Sequence, residues 1–182
     1  MYQKELSELV TISQFAGNRV DYTQGGGGNT SVKLNSELMA VKASGYKLSE
    51  ITTENAYVVV NYGNIKKFYD SVIDTNEDLE IKSNEVVKQS IVSLDGSAPL
   101  RPSVEAGFHS LLDKYVLHVH SVYAAIIVCT LKGEEIMREL LKDKDYGYIF
   151  IRYINPGFSL AREIYQKINE YKQSFNKYPE VI

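Results

Sequence analysis

The sequence is short of most features that mark secreted, membrane-bound or nucleic-acid-binding proteins. It has one cysteine, Cys129, so no disulfide framework can form, and the chain suits a reducing cytosol. Flanked by Ala124-Ala125-Ile126-Ile127-Val128, that cysteine reads as a small buried hydrophobe. No apolar stretch approaches the ~20 residues of a membrane helix, and the N-terminus carries no apolar signal segment. The longest apolar run, Tyr123 to Cys129, has the length of a core helix. A cytoplasmic location and no membrane partner are therefore expected. Neither sign of charge dominates: 20 basic against 23 acidic residues leave a net charge of -3. That gives no electrostatic footprint for nucleic acid. Any affinity for an anion must be local, built from backbone amides and a few side chains.

What is present fits one globular domain over residues 1–182. The length allows one well-buried core and is short for two, and neither a repeat nor a dividing linker interrupts it. Residues 2 to 16 read as an amphipathic helix through Leu6, Leu9, Val10 and Phe15. After Gly25-Gly26-Gly27-Gly28 come strand-like runs at Thr30 to Leu34, Leu38 to Ala43, Tyr57 to Asn61 and Ile65 to Tyr69. Asn35-Ser36 and Tyr62-Gly63-Asn64 have turn chemistry, so two hairpins are expected. Asn76 to Leu94 reads as a helix ended by Asp95-Gly96-Ser97. Ser103 reads as the N-cap of a helix to about Asp113. Tyr115 to His120 and Tyr148 to Tyr153 read as strands, with helices at Val122 to Thr130 and Glu134 to Lys142 between them. A last helix carries Leu160, Ile164, Ile168, Tyr171 and Phe175 as one stripe. The fold class is α/β, with a mainly antiparallel sheet covered by helices.

Three constellations offer chemistry. In His118-Val119-His120 the imidazoles are two apart on a strand, so they share a face with α-carbons roughly 6.5 to 7 Å apart. Such a pair can reach one ion at the roughly 2.0 to 2.1 Å that zinc prefers, while Leu117 and Val119 turn toward a core. Two polar residues on a solvated strand face would look the same in isolation. The chain has only three histidines, and the third, His109, lies nearby. The second constellation is Gly25 through Ser31, then Lys33. Consecutive glycines permit positive φ and let amides converge on an anion, with side-chain donors from Asn29, Thr30 and Ser31. It is neither a Walker loop nor G-x-G-x-x-G, and a plain turn is the alternative. Ser44-Gly45 adds a second hydroxyl-plus-glycine turn, with Lys42 and Lys47 near. In the third, Arg101-Pro102-Ser103-Val104-Glu105 opens a helix whose first turn favours both an acid and a bound phosphate. His109, four residues beyond Glu105, would share its helix face and reads as structural, or as a support to the ligands, rather than as a ligand itself.

Taken in order, Gly26-Gly27-Gly28-Asn29-Thr30-Ser31-Val32-Lys33, Val41-Lys42-Ala43-Ser44-Gly45, Arg101-Pro102-Ser103-Val104-Glu105 and His118-Val119-His120 resemble the class II aldolase and adducin N-terminal family. The pattern is most similar to rhamnulose- and fuculose-phosphate aldolases and to the aldolase part of bifunctional aldolase-dehydrogenases. The resemblance implies a three-layer α/β/α fold and a homo-oligomer, often a tetramer. It implies a Zn2+-dependent lyase that cleaves a ketose 1-phosphate, a phosphorylated sugar, through a metal-stabilised enediolate. Carried over by position, His118 and His120 would bind zinc. Glu105 would be the acid/base, with a raised pKa, and would touch the metal when substrate is absent. Asn29, Ser44, Gly45 and Ser103 would hold the phosphate, with Gly27 and Gly28 letting the backbone approach. Epimerase, dehydratase or decarboxylase chemistry, or a non-catalytic adducin-like role, fits the same pattern. Family members carry a third zinc histidine on a strand after the last helix. Here Glu180-Val181-Ile182 would begin that strand, and no histidine follows His120. A domain truncated at its C-terminus, either a fragment of a longer protein without its tyrosine-bearing end or a natural short form with an incomplete metal site, is the expectation.

Overall fold

The computed structural model describes residues 2–72, 78–93 and 100–182. The central strands are nearly continuous apolar runs whose successive side chains point to opposite faces, and burial of both faces sets up three layers. The strands are β1 (Asn29–Lys33), β2 (Leu38–Lys42), β3 (Tyr57–Asn61), β4 (Ile91–Val92) and β5 (Tyr115–His118). They pair antiparallel throughout, in the order β4-β3-β2-β1-β5. Met39, Val41, Val58 and Val60 pack on one face, against residues of helices α2 (Tyr62–Ser71), α4 (Ala106–Leu111) and α7 (Phe158–Phe175). Val32, Ala40 and Val59 pack on the other, with Leu6, Leu9 and Ala16 of helix α1 (Gln3–Gly17) and with Leu48 and Ile51 of the short turn after β2. Period-two alternation thus divides one sheet between two cores. The expected α/β/α arrangement is what forms. Helix α1 is tied to the sheet by a buried polar pair as well: Ser13 Oγ and Thr30 Oγ1 are 2.7 Å apart, so neither hydroxyl is stranded.

Several sequence expectations are corrected. Ile65 to Tyr69 is not a strand but part of α2, and Tyr62-Gly63-Asn64 is its first turn. Asn61 caps that helix, its side-chain oxygen accepting from the Asn64 amide at 3.0 Å, and Ile65 and Tyr69 bury one face at i, i+4 spacing. Only the first hairpin, β1 to β2, exists. The helix expected over Asn76 to Leu94 is α3 (Leu79–Gln89), and Ile91 belongs to β4. Its expected stop at Asp95-Gly96-Ser97 lies outside the described residues. Tyr148 to Tyr153 forms no strand; Tyr148 makes one isolated parallel bridge, to Val181. Runs this short cannot be assigned by periodicity alone.

Helices α5 (Val122–Val128) and α6 (Gly133–Leu141) follow β5. The apolar run in α5 is not core: the helix has no buried residue, and Tyr123 and Ile126 are mostly exposed. Cys129 is likewise exposed rather than buried. Leu117 is also exposed, because β5 is the sheet's terminal strand and Val116, not Leu117, faces the core. Val119 does pack, on the α1 side. No described helix is long and apolar enough to cross a membrane.

Candidate active site

Three loops and one strand end meet where the start of β1 and the ends of β2 and β5 lie side by side at one end of the sheet's strands. The β1–β5 register sets Asn29 directly opposite His118, so their side chains share a face. At the end of β2, Ala43 bridges Pro102, the Ser44 amide donates to the Arg101 carbonyl at 2.8 Å, and the Ser103 amide donates to the Lys42 carbonyl at 3.1 Å. This short antiparallel stitch lays the Ser44-Gly45 and Ser103 turns side by side, although sixty residues of sequence separate them in round terms. It also delivers Glu105 to the same place. Glu105 is the residue before α4, so the helix starts two residues later than Ser103 capping would give. Ser103 Oγ accepts from the Glu105 amide at 3.4 Å, a loose contact.

The glycine run approaches from the third side. Gly25 and Gly28 have φ of 56° and 78°, the left-handed region that glycine enters without strain. A Cβ on Gly28 would lie 2.8 Å from Thr23 Cγ2 and 2.9 Å from the His118 carbonyl oxygen, and one on Gly27 would lie 3.4 Å from His120 Nδ1. The glycines therefore let the loop press against the end of β5. The Gly27 amide is engaged with the Gln24 carbonyl at 2.9 Å, so the run is not a full ring of converging amides. Thr30 and Ser31 do not face the site. Thr30 bonds Ser13, and Ser31 Oγ lies 2.8 Å from His109 Nδ1. Lys33 is further off, donating to the Leu112 and Asp113 carbonyls.

These segments enclose a cavity of about 240 Å3, with Gly27, Gly28, Ser44, Gly45, Ser103, Glu105 and His120 on its wall. It is small for a ligand pocket and suits a small molecule. Asn29 is fully buried below it. Its Oδ1 accepts from the Thr30 amide at 2.8 Å, while its Nδ2, beside the Glu105 carboxylate, has no hydrogen-bond partner.

Glu105, His118 and His120 each offer one ligand atom, all within 4.8 Å of one another. His118 Nδ1 is 3.2 Å from Glu105 Oε2, yet it is buried and aligned with no hydrogen-bond partner. Two atoms bound to one tetrahedral zinc at 2.0 to 2.1 Å stand about 3.3 Å apart. The strand ends at His118, and the extended chain beyond it still brings the His118 and His120 rings to 5.0 Å between centroids. One carboxylate and two imidazoles, with an orphaned nitrogen facing the carboxylate, fit a divalent cation.

The electrostatics run against one expectation. Glu105 does not have a raised pKa. Burial pushes it up, but the adjacent His118, the charge influence of His118 and His109, and the Asn29 amide outweigh that and hold it down at about 2. It is a carboxylate at neutral pH, the form that ligates a cation or accepts a proton. His109 is completely buried, and burial first, then the neighbouring His118 charge, lowers it to about 3. It is a neutral packing residue, as expected.

The family described as Class II Aldolase and Adducin N-terminal domain matches residues 7–176, which is nearly the whole chain. The chain belongs to this family. The N-terminal class II aldolase domain of a conserved protein from Thermoplasma acidophilum has the same fold, with a TM-score of 0.72 and 26% identity over 90% of this chain and 75% of that one. YgbL of Klebsiella pneumoniae, described as a candidate aldolase, epimerase or decarboxylase, is similar in fold alone, with a TM-score of 0.58 and 18% identity over 91% of this chain and 70% of that one. The uncharacterized oxidoreductase YuxG of Bacillus subtilis (strain 168) is 29% identical over 171 residues, 88% of this chain. The chain spans 23% of the length of that relative. In this class II aldolase domain Gly27, Gly28, Asn29, Ser44, Gly45, Ser103, Glu105, His118 and His120 lie together, whereas Thr30, Ser31 and Lys33 are engaged elsewhere. Lys42 lines the same cavity. Its signal in the sequence is faint: a lysine at the last position of a strand, just before Ser44-Gly45.

Proposed function

We propose that this class II aldolase domain forms a zinc-dependent lyase site for a small phosphorylated sugar, a ketose 1-phosphate. The observation that carries the proposal is the adjacency of the Glu105, His118 and His120 cluster to a cavity walled by two serine turns and a glycine run. His118 and His120 would hold the ion, with Glu105 as a third ligand only while substrate is absent, so that its carboxylate is free for proton transfer once substrate binds. A divalent ion bound there would act as a Lewis acid toward substrate oxygens.

The chain's own residues supply the rest. Ser44 and Ser103 offer hydroxyls, and Asn29 an unpartnered amide, to the substrate phosphate. Gly27, Gly28 and Gly45 let the backbone come close without a Cβ in the way. Gripping the phosphate away from the reacting bond orients the substrate and lowers the entropy still to be lost at the transition state. Glu105, ionised, accepts a proton from the carbon adjacent to the carbonyl in the condensation direction and returns it there in cleavage. Assembly as a homo-oligomer and a cytoplasmic location are part of the same reading.

The test is a coupled reduction of glycerone phosphate, run with added zinc on the protein as the cell produces it, across several ketose 1-phosphates. The expected result is cleavage of at least one, reduced by roughly 100-fold or more in Glu105→Gln, in keeping with the loss of a positioned acid/base. Metal-loaded protein that cleaves none of them would overturn the lyase reading. Proton exchange without cleavage would then point to an epimerase, dehydratase or decarboxylase.

A further inference from the structure

A second cavity, of about 410 Å3, opens at the other end of β1, where Lys33, Leu112 and Asp113 meet Lys66 and Lys67 of α2. Asn29 is the first residue of β1 and Lys33 the last, so about 13 Å of strand separates the two cavities. Helix α4 spans the same interval, with Glu105 before its start and Leu112 after its end. The volume lies within the range of small-molecule pockets.

The charges on this wall are unevenly matched. Lys66 is paired, donating to Asp70 at 2.9 Å and to the Tyr165 hydroxyl at 2.7 Å. Lys33 donates instead to the Leu112 carbonyl and, at 2.9 Å, to the Asp113 carbonyl, and its Nζ lies 4.9 Å from the centre of the Tyr62 ring. Two of its three donors are thus used, and no described carboxylate is within ion-pair range of it or of Lys67. Burial pulls Lys33 down to about 8, against the opposing charge of Asp113. A desolvated ammonium without a direct counter-ion is costly unless something completes it. Gly63, in the first turn of α2, brings the positive end of that helix to the same wall. Tyr62, Leu111 and Leu112 supply apolar surface beside these cations.

We propose that this cavity is a second ligand site, separate from the one beside Glu105, for a small organic anion bearing phosphate or carboxylate oxygens. Lys33, through its remaining N–H, and Lys67 take the oxygens, while Tyr62, Leu111 and Leu112 cover the carbon skeleton. Such a site is independent of whether the Glu105 cavity cleaves a sugar.

Phenyl phosphate and benzoate are the probes, titrated calorimetrically at low salt into the parent protein, Lys33→Met, Lys67→Glu and Lys67→Arg. Each is also made in a Ser103→Ala background, because a phosphate can enter the cavity beside Glu105 as well. Binding of phenyl phosphate alone would mark a phosphate-ester ligand, and of benzoate alone a carboxylate. Lys33→Met and Lys67→Glu should each weaken binding about tenfold or more, the loss of one charge-assisted contact, at unchanged zinc content. Lys67→Arg keeps the charge and should bind as the parent does. The lysine effects should be equal in both backgrounds, as for distant sites. Lys67 is exposed, so Lys67→Glu should fold whether or not Lys33→Met does. Unchanged affinity in Lys67→Glu would overturn the site. So would binding that disappears in Ser103→Ala, which would put the anion beside Glu105, or no binding of either probe to the parent.

Discussion

His109 shows how a side chain next to the chemistry serves the fold instead. Its amide bonds the Glu105 carbonyl at 3.2 Å, its Nδ1 meets Ser31, and its Nε2 is buried without a partner. Its pKa falls to about 3 in the folded state from an ordinary 6.5. Between those values the unfolded chain binds the extra proton and the folded chain does not. Stability from this group is therefore complete above about pH 6.5 and is lost as pH falls toward 3. Glu105, held at about 2 instead of 4.5, acts in the same direction but only below about pH 4.5. The melting temperature should accordingly decline between pH 6.5 and 4.5, and His109→Gln should flatten that decline. An unchanged slope in the variant would show that His109 titrates normally. Spacing from Glu105 suggested this structural role, but the Ser31 contact joins residues far apart in sequence and had no local signature.

At the scale of elements, the glycine loop makes a contrast that can be measured. Gly28 combines positive φ with close approach to the His118 carbonyl, whereas Gly26 has ordinary φ and open space where a Cβ would go. Gly28→Ala should destabilise the protein by about 2 kcal/mol or more in urea unfolding, from left-handed strain plus the clash. Gly26→Ala should stay within about 0.5 kcal/mol. Equal effects would mean the loop is not pressed onto β5. Elements were readable from sequence where a signal persisted: α1 and α7 by their period over several turns, β2 and β3 as short apolar runs bounded by turn residues. They were misread where the run was short. Ile65 to Tyr69 satisfied a strand in composition, and only the Asn61 cap and tertiary burial decide for helix. The apolar stretch of α5 looked like core, but burial depends on what packs against it, which sequence does not state.

Across the whole molecule, the two cores fix the sheet, and one end of its strands carries the candidate site. Four motifs lie from residue 26 to residue 120, and the antiparallel order β2-β1-β5 with the Ala43–Pro102 bridge gathers them. That gathering was legible only through the family resemblance; spacing alone left each motif open to a plain structural reading. Lys42 and the low pKa of Glu105 were not legible, because both arise from neighbours brought in by the fold. The central claim is that Glu105, His118 and His120 hold one divalent ion at this end of the sheet while substrate is absent. Elemental analysis of zinc per chain after dialysis tests it most directly, in the parent protein and in His118→Ala and His120→Ala. The account predicts near one zinc per parent chain and far less in each variant. Equal zinc in all three would contradict it.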